Sequence, residues 1–274
     1  MKYIIFGDTG GHYRQLYAAL REIGMTEDYI LPEDIHIIHL GDLVHKGLYS
    51  TDILRMIDEI RILNDGQWTQ LIGNHEAQYL GGHLFWNKRI DAKGISILHE
   101  WYQDGFLKYI HMINTFDAEI ITETQTYKLD APIFFSHAGI SKPFFDLKKN
   151  NGETTLKDIH KPGLMLGETY KPFDPVGPVW AHGVHEVWAL WKDLNSIEFN
   201  QFVGHIAPYQ FDRKAFYPQT LGLFKELAHL HEKEKAVVAP LNDFNDKWMV
   251  FMDPGYSKYA PAGAQPYVVI ETKD

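Results

Sequence analysis

Side chains able to ligate a cation or move a proton are concentrated in five short stretches. These are Gly7-Asp8-Thr9-Gly10-Gly11-His12, Gly41-Asp42-Leu43-Val44-His45-Lys46-Gly47, Gly73-Asn74-His75-Glu76, Ser136-His137-Ala138-Gly139 and Gly204-His205. Each sets a carboxylate, a carboxamide or an imidazole close to a glycine. Oxygen and imidazole donors are the set that divalent ions such as Mn, Fe or Zn accept. Singly, each stretch also has a plain reading. Gly-Asp after a strand makes a turn, Asn74 can cap a helix, and a lone histidine can be a hydrogen-bonded core residue.

The elements that must position these residues are legible around them. Lys2 to Phe6, Ile35 to Leu40 and Gln67 to Ile72 read as buried strands, and each runs directly into one of the first three stretches. Between them, His12 to Ile23 carries Leu16, Leu20 and Ile23 at helical spacing, with Gly24 as a stop. Ser50 can cap a second helix that buries Ile53, Leu54, Ile57 and Ile60. Alternating strand and helix implies parallel β-α-β units, in which ligands bind outside the carboxyl ends of the strands. Asp8, Asp42 and Asn74 are therefore expected to meet on one rim.

Beyond Tyr79 the pattern loosens. Ile95 to Ile113 reads as helix, Asp117 to Leu129 as a strand pair, and Ala131 to Ser136 and Phe199 to Val203 as strands ending at His137 and His205. From Ser141 to Asn200 no period is sustained. Lys247 to Met252 and Tyr267 to Glu271 are expected to finish a second sheet, and His231 to Lys235 reads as a solvated surface stretch. One domain over 1–274 is expected, with insertions at about 80–115 and 141–198 covering the substrate side.

Composition narrows the function classes. With 26 Lys and Arg against 36 Asp and Glu, the net charge is −10, so no broad nucleic-acid surface is expected. The chain has no cysteine and 15 histidines, which excludes disulfides and thiolate metal sites. No window approaches the roughly 18 apolar residues of a membrane span, and no secretory signal stands at the start. A cytoplasmic location without membrane association is the expectation.

In this order, the five stretches resemble those of the calcineurin-like metallophosphoesterases. More narrowly they resemble the phosphoprotein-phosphatase branch and the related symmetrical dinucleoside tetraphosphatases. The resemblance runs from Asp8 to about Gly255 and implies an α/β fold, a four-layer sandwich of two mixed β-sheets flanked by helices. It implies two divalent ions, with Asp42 bridging them, Asp8 on the first, and Asn74, His137 and His205 on the second. His75 would be the general acid that protonates the leaving oxygen.

Several positions depart from the family pattern. Gly10 stands where a histidine ligand of the first metal is expected, so a weak first site is implied, with His45 or His12 as substitute ligands. His45 replaces the aspartate of Gly-Asp-x-Val-Asp-Arg-Gly, which removes the usual carboxylate that orients the general acid, and Lys46 replaces its arginine. Gly177-Pro178-Val179-Trp180-Ala181-His182-Gly183 resembles a phosphate-contacting segment that ends in Arg-Gly, with His182 in the arginine's place. Lys46, Asn74 and His182 are thus the expected phosphate contacts. Asp253-Pro254-Gly255 resembles the family's last Asp-x-Gly turn and reads as structural.

The expected activity is metal-dependent hydrolysis of a phosphate ester, with a phosphomonoesterase of the protein-phosphatase kind put first. The alternatives are a dinucleoside polyphosphate or other nucleotide phosphohydrolase, and a degenerate member that binds phosphate without turnover. The partner is a phosphorylated substrate: a phosphoprotein, a nucleotide or a small phosphoester.

Overall fold

The computed structural model describes residues 1–81, 84–150, 177–194, 197–256 and 262–273. Three strands open the chain: β1 (Lys2–Phe6), β2 (Ile35–His39) and β3 (Trp68–Leu71). They pair in parallel, with helix α1 (Tyr13–Glu22) following β1 and α2 (Ser50–Leu63) following β2. Alternation along β1 decides its role. Ile4 and Phe6 face the layer of helices, whereas Ile5 faces the interior between two sheets. In α2, Ile53, Leu54, Ile57 and Ile60 are all buried at helical spacing. Ser50 does not cap that helix. Tyr49 is its N-cap, and the Ser50 Oγ accepts the His45 N–H at 2.9 Å.

After a short turn of helix, α3 (Asn74–Ala77), comes α4 (Ala92–Gln103), capped by the Asp91 carboxylate on the Gly94 N–H at 2.8 Å. The helix expected to continue to Ile113 ends there, because Gly105 takes a left-handed φ of 77°. The chain turns instead into β4 (Leu107–Lys108) and β5 (Ile110–Ile113). The predicted strand pair appears as β6 (Ala118–Ile121) and β7 (Thr126–Leu129), followed by β8 (Ile133–Ser136) and helix α5 (Lys142–Asn150). Residues 151–176 of the long aperiodic stretch lie outside the described residues. Its later part forms one π-helical turn (Gly183–Trp188) continued by α6 (Ala189–Leu194).

The last third supplies β9 (Asn200–Val203), the small pair β10 (Tyr209–Gln210) and β11 (Ala215–Phe216), helix α7 (Gly222–Leu227), and strands β12 (His229–His231), β13 (Ala236–Pro240), β14 (Trp248–Phe251) and β15 (Tyr267–Thr272). The larger sheets run β4-β3-β2-β1-β15-β6-β7 and β12-β13-β14-β9-β8-β5. Both are mixed, and they pack face to face. Ile5, Ile38 and Leu71 of one sheet meet Phe135, Phe202 and Val250 of the other. Helices α1, α2 and α4 cover the outer face of the first sheet, while the π turn, α6 and α7 cover that of the second. This is the four-layer architecture expected.

Two further details correct the sequence reading. β15 belongs to the first sheet, pairing antiparallel with β1 from Lys2↔Glu271 to Phe6↔Tyr267. The stretch from His231 to Lys235 is not wholly solvated. His231 is buried with its Nε2 at 2.8 Å from the Tyr127 hydroxyl, and Glu234 accepts the Glu123 N–H at 2.9 Å. No helix among the described residues is long and apolar enough to cross a membrane.

Candidate metal centre and active site

The site is assembled from the carboxyl ends of β1, β2, β3, β8, β9 and β14. Loops 7–12 and 41–49 are laced by backbone bonds: Gly10 N to Asp42 O at 2.7 Å, Gly11 N to Leu43 O at 2.7 Å, and Gly47 N to Gly10 O at 2.7 Å. Such close lacing forces tight turns. Asp42, His45, Lys46 and His205 all sit at left-handed φ, at 54°, 72°, 52° and 65°. An L-residue there carries about 1–2 kcal/mol of strain, so something must hold the second loop in place.

Glu76 does so. Its fully buried carboxylate accepts four backbone N–H groups, from Asp42 at 2.8 Å, Gly73 at 2.9 Å, Leu43 at 2.9 Å and Val44 at 3.2 Å. The start of α3 is thereby locked to the loop after β2. Gly73 is required by this approach, since a Cβ there would lie 2.1 Å from Asp42 Oδ1.

Around this clamp the sequence-predicted residues converge. Asp42, His137 and His205 bring one ligand atom each within 4.8 Å of one another. His137 Nε2 is 3.4 Å from Asp42 Oδ1, and His75 Nε2 is 3.7 Å from Asp42 Oδ2. The Asn74 carboxamide points one atom into the middle, 3.0 Å from His137 Nε2, 3.2 Å from His205 Nδ1 and 3.2 Å from both Asp42 oxygens. With its oxygen inward, acceptors face acceptors, the arrangement a cation draws together. Asp8 is fully buried. One oxygen accepts the His205 N–H at 3.0 Å, while the other has no hydrogen-bond partner and lies 3.9 Å from Lys46 Nζ. An orphaned buried carboxylate oxygen is costly unless a cation meets it.

The charge balance points the same way. Burial, then the neighbouring Asp253 and Asp42 charges, raise the Asp8 carboxyl well above its ordinary range. Burial pushes Asp42 up to about 7, against the pull of Lys46 and the His75 N–H. Burial alone would lower the Lys46 ammonium, but Asp253, Asp8 and Asp42 overcome it and raise Lys46. Burial and the His137 ring hold His205 well below its usual value, so it offers a neutral nitrogen. Buried carboxylates and neutral imidazoles are a donor set that fits divalent ions.

The remaining predicted residues are placed differently. His45 does not turn toward Asp8. Its Nδ1 is 2.5 Å from His75 Nδ1 and its Nε2 is 2.6 Å from the Tyr79 hydroxyl, so both ring nitrogens are engaged away from the first site. His12 packs edge-on to Tyr256, ring centroids 5.3 Å apart, and is not in the group formed by Asp42, His137 and His205. His182 stands at the start of the π turn, where its Nδ1 accepts the His185 N–H at 3.4 Å. Burial and the adjacent His185 lower His182, leaving it uncharged at neutral pH. Burial, followed by the neighbouring charges, holds both His75 and His45 at about 3.

Residue-type reasoning had missed other participants. Asp253, read as a structural turn, does bond the Ala207 and Gly255 N–H groups, but its charge also acts on Asp8, Asp42 and Lys46. Its position at the end of β14 was the available signal. Phe85 and Trp86 flank His75 at 5.0 Å, and Trp180 lies edge-on to Phe85 at 5.0 Å. Nothing in their spacing marks them.

A four-layer α/β sandwich with oxygen and imidazole donors at its strand ends defines a metallophosphoesterase architecture. The family model for calcineurin-like phosphoesterases matches residues 1–239, and the chain belongs to that metal-dependent family. It is 25% identical over 161 residues to the serine/threonine-protein phosphatase 2B catalytic subunit A1 of Saccharomyces cerevisiae, covering 59% of this chain and 26% of that protein. The chain thus spans about a quarter of the length of that curated relative. Among solved structures, a cold-active protein-tyrosine phosphatase of a psychrophile Shewanella sp. superposes with a TM-score of 0.54 at 17% identity, over 96% of this chain and 73% of the other. A protein serine/threonine phosphatase from Saccharomyces cerevisiae gives 0.52 at 14% identity, over 98% and 78%. These likenesses are of fold.

Proposed function

We propose that the chain is a hydrolase of phosphate monoesters that works with divalent metal ions. The observation that carries this reading is the convergence of Asp42, His137 and His205 with the Asn74 carboxamide, beside an Asp8 oxygen that has no hydrogen-bond partner. Two divalent ions held by Asp8, Asp42, Asn74, His137 and His205 would supply an activated water and polarised phosphoryl oxygens. Asp42 is suited to the shared position because it neighbours both ligand groups, with Oδ1 3.4 Å from His137 Nε2 and its charge acting on Asp8. Lys46, kept charged by three carboxylates, is the cation available to a phosphate oxygen on the Asp8 side. His182, uncharged, would contribute a hydrogen bond rather than a charge, and Asn74 a carboxamide contact. His75 presents Nε2 to the centre and gives a proton to the leaving oxygen.

The test is hydrolysis of p-nitrophenyl phosphate with added Mn against an EDTA-treated control, together with Asp42→Asn. That variant is expected to lose turnover and to bind well under one equivalent of metal. Wild-type turnover in Asp42→Asn would overturn the reading.

A further inference from the structure

A hydrogen-bond chain behind His75 fixes where its proton sits. It begins at two backbone donors. The Ile90 N–H donates to the Tyr79 hydroxyl at 3.0 Å, and the Trp86 N–H donates to Gln78 Oε1 at 3.2 Å. The second bond fixes the orientation of the Gln78 carboxamide, so its Nε2 is the atom facing His45 Nε2 at 3.2 Å. An amide nitrogen can only donate. The Tyr79 hydroxyl, already accepting from Ile90, is free to donate to the same His45 Nε2 at 2.6 Å. Two donors therefore meet at His45 Nε2, which carries no proton.

The rest follows by counting. An imidazole keeps at least one N–H, so His45 carries its proton on Nδ1. That nitrogen lies 2.5 Å from His75 Nδ1, and the pair shares a single hydrogen, donated by His45. His75 Nδ1 is then an acceptor, and its own proton must be on Nε2. This is the nitrogen 3.7 Å from Asp42 Oδ2, turned to the reaction centre.

We infer that His45, held by Tyr79 and Gln78, is the positioning residue that keeps His75 in the Nε2–H tautomer with its proton aimed at the leaving group. The assignment rests on the reading of His75 as general acid. It also reverses the logic of a carboxylate partner. A carboxylate at position 45 could only accept and would hold a hydrogen on His75 Nδ1, so His75 would carry a proton on Nε2 only as the imidazolium. His45 instead donates. As the Nε2 proton of His75 passes to the leaving oxygen, the shared hydrogen moves from His45 Nδ1 to His75 Nδ1 and the Tyr79 hydroxyl proton moves to His45 Nε2. Both imidazoles end neutral, and the charge rests on the Tyr79 oxygen. Trp86, stacked on the His45 ring at a centroid distance of 5.5 Å and an interplanar angle of 12°, supports the ring's plane.

The test has a spectroscopic arm and a kinetic arm. Long-range 1H–15N correlation spectra of histidine-labelled protein, metal-free and Zn-loaded, report which ring nitrogen is protonated, with His75→Asn assigning the signals. The expected result is a protonated Nε2 on His75 in the wild type and in His45→Asn, whose amide can still donate and whose residue type tolerates φ of 72°. In His45→Asp the hydrogen should move to Nδ1. A wild-type His75 protonated on Nδ1 overturns the inference.

In the kinetic arm, phenyl phosphate is compared with p-nitrophenyl phosphate, which has nearly the same shape but a leaving group needing little protonation. His45→Ala is expected to raise the turnover ratio of p-nitrophenyl to phenyl phosphate by about 10–100-fold, within the range for one acid. His45→Asn should keep the ratio within about threefold of wild type. An equal loss on both esters in His45→Ala, together with no recovery in His45→Asn, would mark His45 as packing only and overturn the inference. Failure of the wild type to hydrolyse either ester would instead sink the proposed function, and the tautomer measurement would still decide the assignment.

Discussion

Replacing Glu76 by glutamine tests whether one buried carboxylate holds the metal loop in shape. The substitution is nearly isosteric, so it leaves no cavity. What changes is hydrogen-bond polarity. Glu76 Oε2 accepts from Asp42 and Gly73, and Oε1 accepts from Leu43 and Val44. A carboxamide keeps one oxygen and turns an NH2 toward the other pair of N–H groups. Two buried donors then lose their acceptor, at about 1–3 kcal/mol each, or about 2–6 kcal/mol together. The stability of a domain is about 5–15 kcal/mol, so the loss is a large fraction of it. The left-handed residues Asp42, His45 and Lys46 would also be released from the turn that holds them strained.

The assay is urea unfolding of metal-free protein at pH 8. Burial, and secondarily the Asp42 charge, push the Glu76 carboxyl up to about 7, so it is ionised there and acts as acceptor only. Glu76→Gln should lower the free energy of unfolding by about 2–6 kcal/mol. It should also weaken metal binding, because the Asp42 N–H that Glu76 anchors belongs to the proposed shared ligand. A loss under about 1 kcal/mol with unchanged metal stoichiometry would refute the clamp, since even one orphaned donor costs that much.

Restoring the missing imidazole by Gly10→His should fail to tighten the metal site. Gly10 has φ of 55° and a Cβ there would sit 3.0 Å from Lys46 Cδ, so about 1–2 kcal/mol of strain is expected, and a variant with unchanged melting temperature and tighter Mn binding would contradict this. Lys46→Met should raise the inhibition constant for inorganic phosphate by about 10–100-fold, the equivalent of one hydrogen bond to a charged group, and an unaltered constant would remove Lys46 from phosphate binding. His39 is fully buried, with its Nε2 2.7 Å from Thr9 Oγ1, and burial, with His137 adding, lowers it from 6.5 to about 3. The unfolded chain therefore binds this proton first as pH falls: the contribution is intact above pH 6.5 and is lost by about 1.4 kcal/mol per pH unit toward pH 3. His39→Gln should reduce the acid slope of stability by about one proton, and an identical slope would contradict the assignment.

What the sequence disclosed and what it hid divide along a physical line. The first three strands were legible because each is an apolar run ending in glycine and a polar residue, a local pattern. The place of β15 was not. Its five-residue register with β1 joins the two ends of the chain, and no local period encodes a partner so far away. The helix drawn through to Ile113 failed for a related reason, since Ile110 is apolar for the second sheet rather than for a helix face. Glu76 could be read as a motif residue, but its four partners are backbone N–H groups, which every residue type supplies alike. His45 shows the limit most directly. As a histidine beside the Asp42 loop, it had the right chemistry for a substitute metal ligand. Consecutive left-handed residues at 45 and 46 decide otherwise, because they send Lys46 toward Asp8 and His45 toward His75. The loop that lacks an aspartate therefore does not leave the acid unsupported. It supplies a donor where the family pattern has an acceptor, and the difference can be seen only after every nitrogen in the chain from Ile90 to His75 has been given its proton.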